Sequence, residues 1–116
     1  LVIQGGADVP EAIEIQLKKG ALELCVLALL HRQDNYAYEI AARLADAIGM
    51  GEGTIYPLMR RLQTDGLVET YLVESPTGPP RKYYKLSEAG KRSFISQQAA
   101  WSSFSGAVEN ILGGAK

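Results

Sequence analysis

A mostly α-helical fold with one small β-hairpin is what this sequence predicts. Three observations predict it. Apolar residues recur at helical spacing in three successive stretches before residue 66. Two β-rich stretches then flank a Pro- and Gly-containing turn between residues 68 and 86. A single long helical stretch follows Ser87 and runs to Leu112. The length of 116 residues suits one domain with one appended helix.

The elements read in order as follows. Residues 1–9 are short, Gly-containing and expected to be flexible. Asp8 and Pro10 suit a helix start, and a helical pattern continues to about Arg32. Gly20 lies inside it, at a cost of about 1 kcal/mol in propensity, so a weak point or break is expected there. Ala21–Leu30 is apolar almost all round, with only Glu23 interrupting, which predicts burial on most faces. Asp34-Asn35 signals a turn and cap. A second helix runs from Tyr36 to Ile48, with Ile40, Leu44 and Ile48 on one face. Gly49-Met50-Gly51 ends it. A third helix covers about Gly53 to Asp65, with Gly66 just past its end. Pro57 demands either a start close to Gly53 or a distorted first turn. Val68–Glu74 and Arg81–Leu86 read as strands joined by a six-residue loop, Ser75 to Pro80. Ser87 caps the last helix.

The second and third helices, joined by a short Gly-containing turn, have helix-turn-helix character. A hairpin directly after them takes the place of a wing. The fold class is therefore a winged helix-turn-helix over residues 10–87, followed by a C-terminal helix over 88–112. In that helix Phe94, Trp101, Phe104, Val108, Ile111 and Leu112 fall near a 3-4 spacing, as a helix–helix dimer seam requires.

Composition narrows the function. With 47% hydrophobic and 22% charged residues the chain has enough apolar content to fold on its own core. No apolar run approaches the roughly 20 residues of a membrane span, and no signal peptide is recognisable. The chain begins at Leu1 rather than Met, which leaves room for a trimmed N-terminus. A lone Cys25 excludes an internal disulfide and suits a reducing cytoplasm. The net charge of −1 would argue against nucleic acid, but its distribution is uneven. Residues 54–92 carry seven basic side chains against four acidic, while residues 1–53 carry four against eight. A basic middle on an acidic chain is a localised electrostatic footprint. An enzyme is not expected. His31 is the sole histidine, six residues from Cys25 and on a different helix face, which is not metal-ligand spacing. No Gly-rich phosphate loop follows a strand, and no Ser/His/Asp set can be assembled. No cofactor or metal is implied.

Four blocks carry a family resemblance: Asn35-Tyr36-Ala37-Tyr38-Glu39-Ile40, Gly53-Thr54-Ile55-Tyr56-Pro57-Leu58-Met59-Arg60-Arg61-Leu62, Asp65-Gly66-Leu67-Val68, and Arg81-Lys82-Tyr83-Tyr84-Lys85-Leu86-Ser87-Glu88-Ala89-Gly90. Together they resemble the PadR family of bacterial winged-helix regulators, over about residues 16–112. The single C-terminal helix is similar to the small subfamily that includes multidrug-sensing repressors. The resemblance implies a homodimer built from the first and last helices, bound to a roughly palindromic double-stranded DNA operator, and repression as the mode of regulation.

For DNA contact the third helix offers Thr54, Tyr56, Arg60 and Arg61. A major groove admits one helix and displays a readable pattern of donors and acceptors. Arg60 and Arg61 stand about 100° apart round the helix and cannot serve one contact. Tyr38, in the first turn of the second helix, resembles a family phosphate contact. On the wing, strand alternation separates Arg81 and Lys82 onto opposite faces. Tyr56 has core packing as its rival role. In the multidrug-sensing branch a tryptophan similar in position to Trp101 stacks flat aromatic ligands between the two subunits. The resemblance makes Trp101, with Gln97 and Ser105 one turn away and Leu24 as a wall, a candidate ligand site. Packing of the dimer core is the alternative for Trp101. A winged-helix protein-interaction module without DNA binding is the alternative for the whole chain, mildly favoured by the acidic total charge.

Overall fold

In this computed structural model, the backbone is described for residues 2–113 and the side chains for residues 13–113. The expectation of a flexible segment over residues 1–9 lies outside the residues whose side chains are described. The element order is α1 (Val2–Arg32), β1 (Asn35–Tyr36), α2 (Ala37–Ile48), α3 (Glu52–Thr64), β2 (Val68–Ser75), β3 (Gly78–Leu86) and α4 (Glu88–Ile111). This is a winged helix fold: four helices with a small antiparallel sheet.

The apolar spacing of each helix converges on one core. Leu22, Val26, Leu27 and Leu30 of α1 meet Ile40, Ala41 and Leu44 of α2 and Ile55, Met59 and Leu62 of α3. Val68, Tyr84 and Leu86 close it from the sheet, and Phe94 closes it from α4. α1 runs unbroken through Gly20, where the sequence suggested a weak point. The helix tolerates it because burial of the following apolar turns outweighs a propensity deficit of about 1 kcal/mol.

Two glycines end helices in the left-handed conformation that suits a residue without Cβ. Gly49 has φ 73° after α2, and Gly66 has φ 77° after α3. The Leu67 N–H donates back to the Leu62 carbonyl at 2.9 Å, which turns the chain from α3 directly into β2. α3 starts at Glu52 with Gly51 as its N-cap, so Pro57 sits in the second turn. The residue four before Pro57 is the exposed Gly53, where the carbonyl left without a helical N–H can face water.

The sheet departs from expectation in two ways. It has three strands in the order β1-β3-β2, because Asn35 and Tyr36 pair with Tyr84 and Tyr83. A two-residue strand has no periodicity to reveal it. The hairpin loop is also shorter than expected. Only Pro76 and Thr77 separate the strands, and Ser75 pairs with Gly78. Pro79 and Pro80 belong to β3, beside a register shift between Val73 and Ser75. Pro cannot donate to a ladder, so it suits a bulge or a stretch lacking a neighbour on one side. The tip of β3 is such a stretch, because β1 reaches only Tyr83 and Tyr84.

α4 is anchored at its start. The Ser87 Oγ accepts from the Gly90 N–H at 3.0 Å and donates to the Gly66 carbonyl at 2.6 Å. A Cβ on Gly90 would collide with the Leu67 carbonyl, so this close approach requires glycine. The far half of α4 leaves the core: Trp101 is 50% exposed, Phe104 64% and Ile111 84%.

Candidate nucleic-acid interface

α2, the Gly49–Gly51 turn and α3 form the helix-turn-helix, and β2–β3 form the wing. The apolar face of α3 is buried through Ile55, Met59 and Leu62. Its other faces carry the residues expected to meet DNA. Arg60 is exposed and has no carboxylate partner among the described residues. Thr54 is half-buried. Tyr56 is also half-buried and packs on the core, the rival role foreseen for it. Burial, with the charges of Glu52 and Tyr38 nearby, raises the Tyr56 phenol above its ordinary pKa.

Arg61 behaves differently from its neighbour. Its Nη2 donates to Glu23 Oε1 on α1 at 2.6 Å, and its Nη1 donates to Asp65 Oδ2 at 3.2 Å. Donating to Glu23 raises the Arg61 pKa further. Expected beside Arg60 in a DNA-contacting set, the half-exposed Arg61 is held by Glu23 and Asp65, as a rotation of about 100° from Arg60 allows.

Tyr38 is 60% exposed in the first turn of α2. Two residues before it, Tyr36 occupies the N-cap position of the same helix, and the Arg81 guanidinium lies 4.5 Å from the Tyr36 ring centroid. This cation–π contact carries the wing cation to the start of α2. Tyr83 stands between Tyr36 and Tyr71, at 5.4 and 5.8 Å. The Tyr71 hydroxyl donates to Asp34 Oδ2 at 2.7 Å, fastening the wing to the link after α1. Lys82 takes the other face, 5.6 Å from the Tyr84 ring, as strand alternation requires. Neither Arg81 nor Lys82 has a carboxylate partner among the described residues.

The residues expected on the seam divide. Trp101, Phe104, Ile111 and Leu112 are exposed, and Val108 is half-buried. Phe94 is buried in this chain's own core with its ring stacked on His31 at 4.6 Å, so it does not belong to an open seam. Of the candidate ligand residues, Leu24 packs on the core and Ser105 is half-buried. Gln97 is engaged: its Nε2 donates to Glu23 Oε2 at 2.8 Å and to Ser93 Oγ at 3.0 Å. Sequence reasoning missed Glu23, whose partners lie 38 and 74 residues away. Its only signal was a lone acid within an apolar helical stretch. Among the described residues no cluster of His, Cys, Asp and Glu could hold a metal, and no helix is long and apolar enough to cross a membrane.

Residues 26–96 match the model of the transcriptional regulator PadR-like family. The chain belongs to this family. PadR-like proteins are transcriptional regulators rather than enzymes. Among solved PadR-like structures, a regulator from Bacillus cereus is 35% identical, with 86% of this chain and 99% of that one covered at a TM-score of 0.78. A PadR family regulator from Eggerthella lenta is 31% identical, covering 97% of this chain and 99% of that one at 0.82. The PadR of Bacillus subtilis, solved in complex with operator DNA, shares the fold at 22% identity and a TM-score of 0.60, over 67% of this chain and 45% of that one.

Proposed function

We propose that this PadR-like chain is a dimeric, sequence-specific DNA-binding regulator that represses transcription and is released by a small planar aromatic ligand. The observation that carries the DNA reading is the division between paired and unpaired cations. Arg61 is paired with Glu23 and Asp65, whereas Arg60, Arg81 and Lys82 are exposed and free of carboxylate partners among the described residues. Unpaired cations beside a helix N-terminus bearing an exposed tyrosine suit phosphate, and an exposed arginine on the second helix of a helix-turn-helix suits a base edge. The operator complex of the Bacillus subtilis PadR, which shares this fold, supports the same role here.

The exposed row Trp101, Phe104, Ile111 and Leu112 supports a second copy as the partner of α4. Isolated apolar residues on a surface are ordinary, but a continuous stripe along one helix calls for a cover. Trp101, half exposed and one turn from Ser105, supplies a flat aromatic surface between subunits for a planar ligand. Such a ligand releases DNA only by binding one dimer arrangement better than another.

Fluorescence anisotropy on DNA from immediately upstream of the chain's own gene, across a salt series, tests this reading. The expected result is binding that beats a scrambled duplex and weakens steeply with salt, the slope reporting the phosphates neutralised. Equal, weak binding to both duplexes counts against it. Quenching of Trp101 fluorescence by flat aromatic dyes, with parallel loss of DNA, is expected for the ligand; unchanged fluorescence removes it.

A further inference from the structure

Glu23 stands at a junction of three helices. It lies on α1 with its side chain 26% exposed, and a different helix takes each of its carboxylate oxygens. Arg61 of α3 donates to Oε1 at 2.6 Å, and Gln97 of α4 donates to Oε2 at 2.8 Å. Among the described residues, Glu23–Arg61 is the one ion pair that joins two helices; the other pairs are local within a helix or cross-strand. Beside this junction an open surface cleft of about 580 Å³ is bordered by Lys19, Glu23, Thr54, Leu58, Arg61 and Gln97. The shared core sets the general placement of the three helices; along this open edge, where apolar side chains do not meet, the polar contacts add the link between them.

We infer that Glu23 is a positioning residue for DNA reading: it registers α3 against α4, so that disturbance of the α4 face alters DNA affinity through the Gln97–Glu23–Arg61 chain. An exposed ion pair alone would contribute little. This carboxylate is half-buried and shared between two donors, so loss of either partner loosens the hold on the other. Gln97 thus acts on the DNA-reading helix from an element that does not touch DNA. The inference rests on the reading of α3 as the DNA-reading helix.

The experiment uses the full chain in four versions beside the parent: Gln97→Met, Glu23→Gln, the double variant, and Gln97→Lys, which restores a donor to the carboxylate. Amide hydrogen exchange of residues 58–64 in free protein is read first, then anisotropy on the upstream duplex. Gln97→Met is expected to speed exchange across α3 severalfold and lower DNA affinity at least threefold with an unchanged salt slope. Glu23→Gln does at least as much, the double variant no more than Glu23→Gln, and Gln97→Lys matches the parent. Parental exchange in Gln97→Met overturns the inference, as do effects that simply multiply in the double variant, or a Gln97→Lys as loose as Gln97→Met. If the parent binds no duplex, the regulator reading fails on that arm, and the exchange arm still decides whether the junction holds.

Discussion

Arg60 and Arg61 are adjacent, equally charged and equally plausible in the sequence, yet they end in different chemistry. Arg60→Ala is expected to weaken specific DNA binding by about 1–3 kcal/mol while leaving thermal stability unchanged. Arg61→Ala, which breaks contacts to Glu23 and Asp65, is expected to lower the melting temperature as well. Paired melting and anisotropy measurements separate the two. The sequence could not divide these roles, because the deciding partner, Glu23, lies 38 residues away and is brought close only by folding. Glu23 also sets an acid dependence. Burial alone would raise its pKa, but hydrogen bonds from Arg61 and Gln97 and the Arg61 charge outweigh that and leave it below the ordinary glutamate value. A depressed folded-state pKa adds stability that is present above the unfolded value, near ~4.3, and is lost as pH falls through the folded one. The gap in melting temperature between parent and Glu23→Gln is therefore expected to be widest at neutral pH and to shrink below about pH 4. A gap that stays constant to pH 3 contradicts it.

At the scale of elements, legibility followed periodicity. α2, α3 and α4 declared themselves through apolar spacing, and their ends through Gly49, Gly66 and Ser87. β1 did not, since two residues carry no alternation and its pairing with β3 is long-range. The loop length was misread because two adjacent prolines resemble a turn, whereas the unpaired edge of the wing accepts them in a strand. Gly90 was legible only as part of a motif; its physical reason is the approach of α4 to the Leu67 carbonyl. Gly90→Ala must push α4 away from the α3–β2 turn and is expected to cost about 1–3 kcal/mol by urea denaturation. A change below half a kcal/mol would mean that this junction yields freely.

Across the whole molecule the account requires a second copy. The winged-helix core is complete within one chain, but the far half of α4 presents a row of large apolar side chains to solvent. Phe104 is 64% exposed, so Phe104→Asp spares the fold of the protomer and is expected to shift sedimentation from dimer to monomer without changing the far-UV circular dichroism. In the proposed dimer, two recognition helices related by a two-fold axis would read half-sites about one helical turn, roughly 34 Å, apart. Selection of bound duplexes from a random-sequence pool tests this most directly, since it assumes nothing about where the operator lies. The account predicts an enriched, roughly palindromic motif whose half-sites are one turn apart, and its disappearance with Arg60→Ala. Recovery of no motif above background, or of one unpaired half-site, would contradict it.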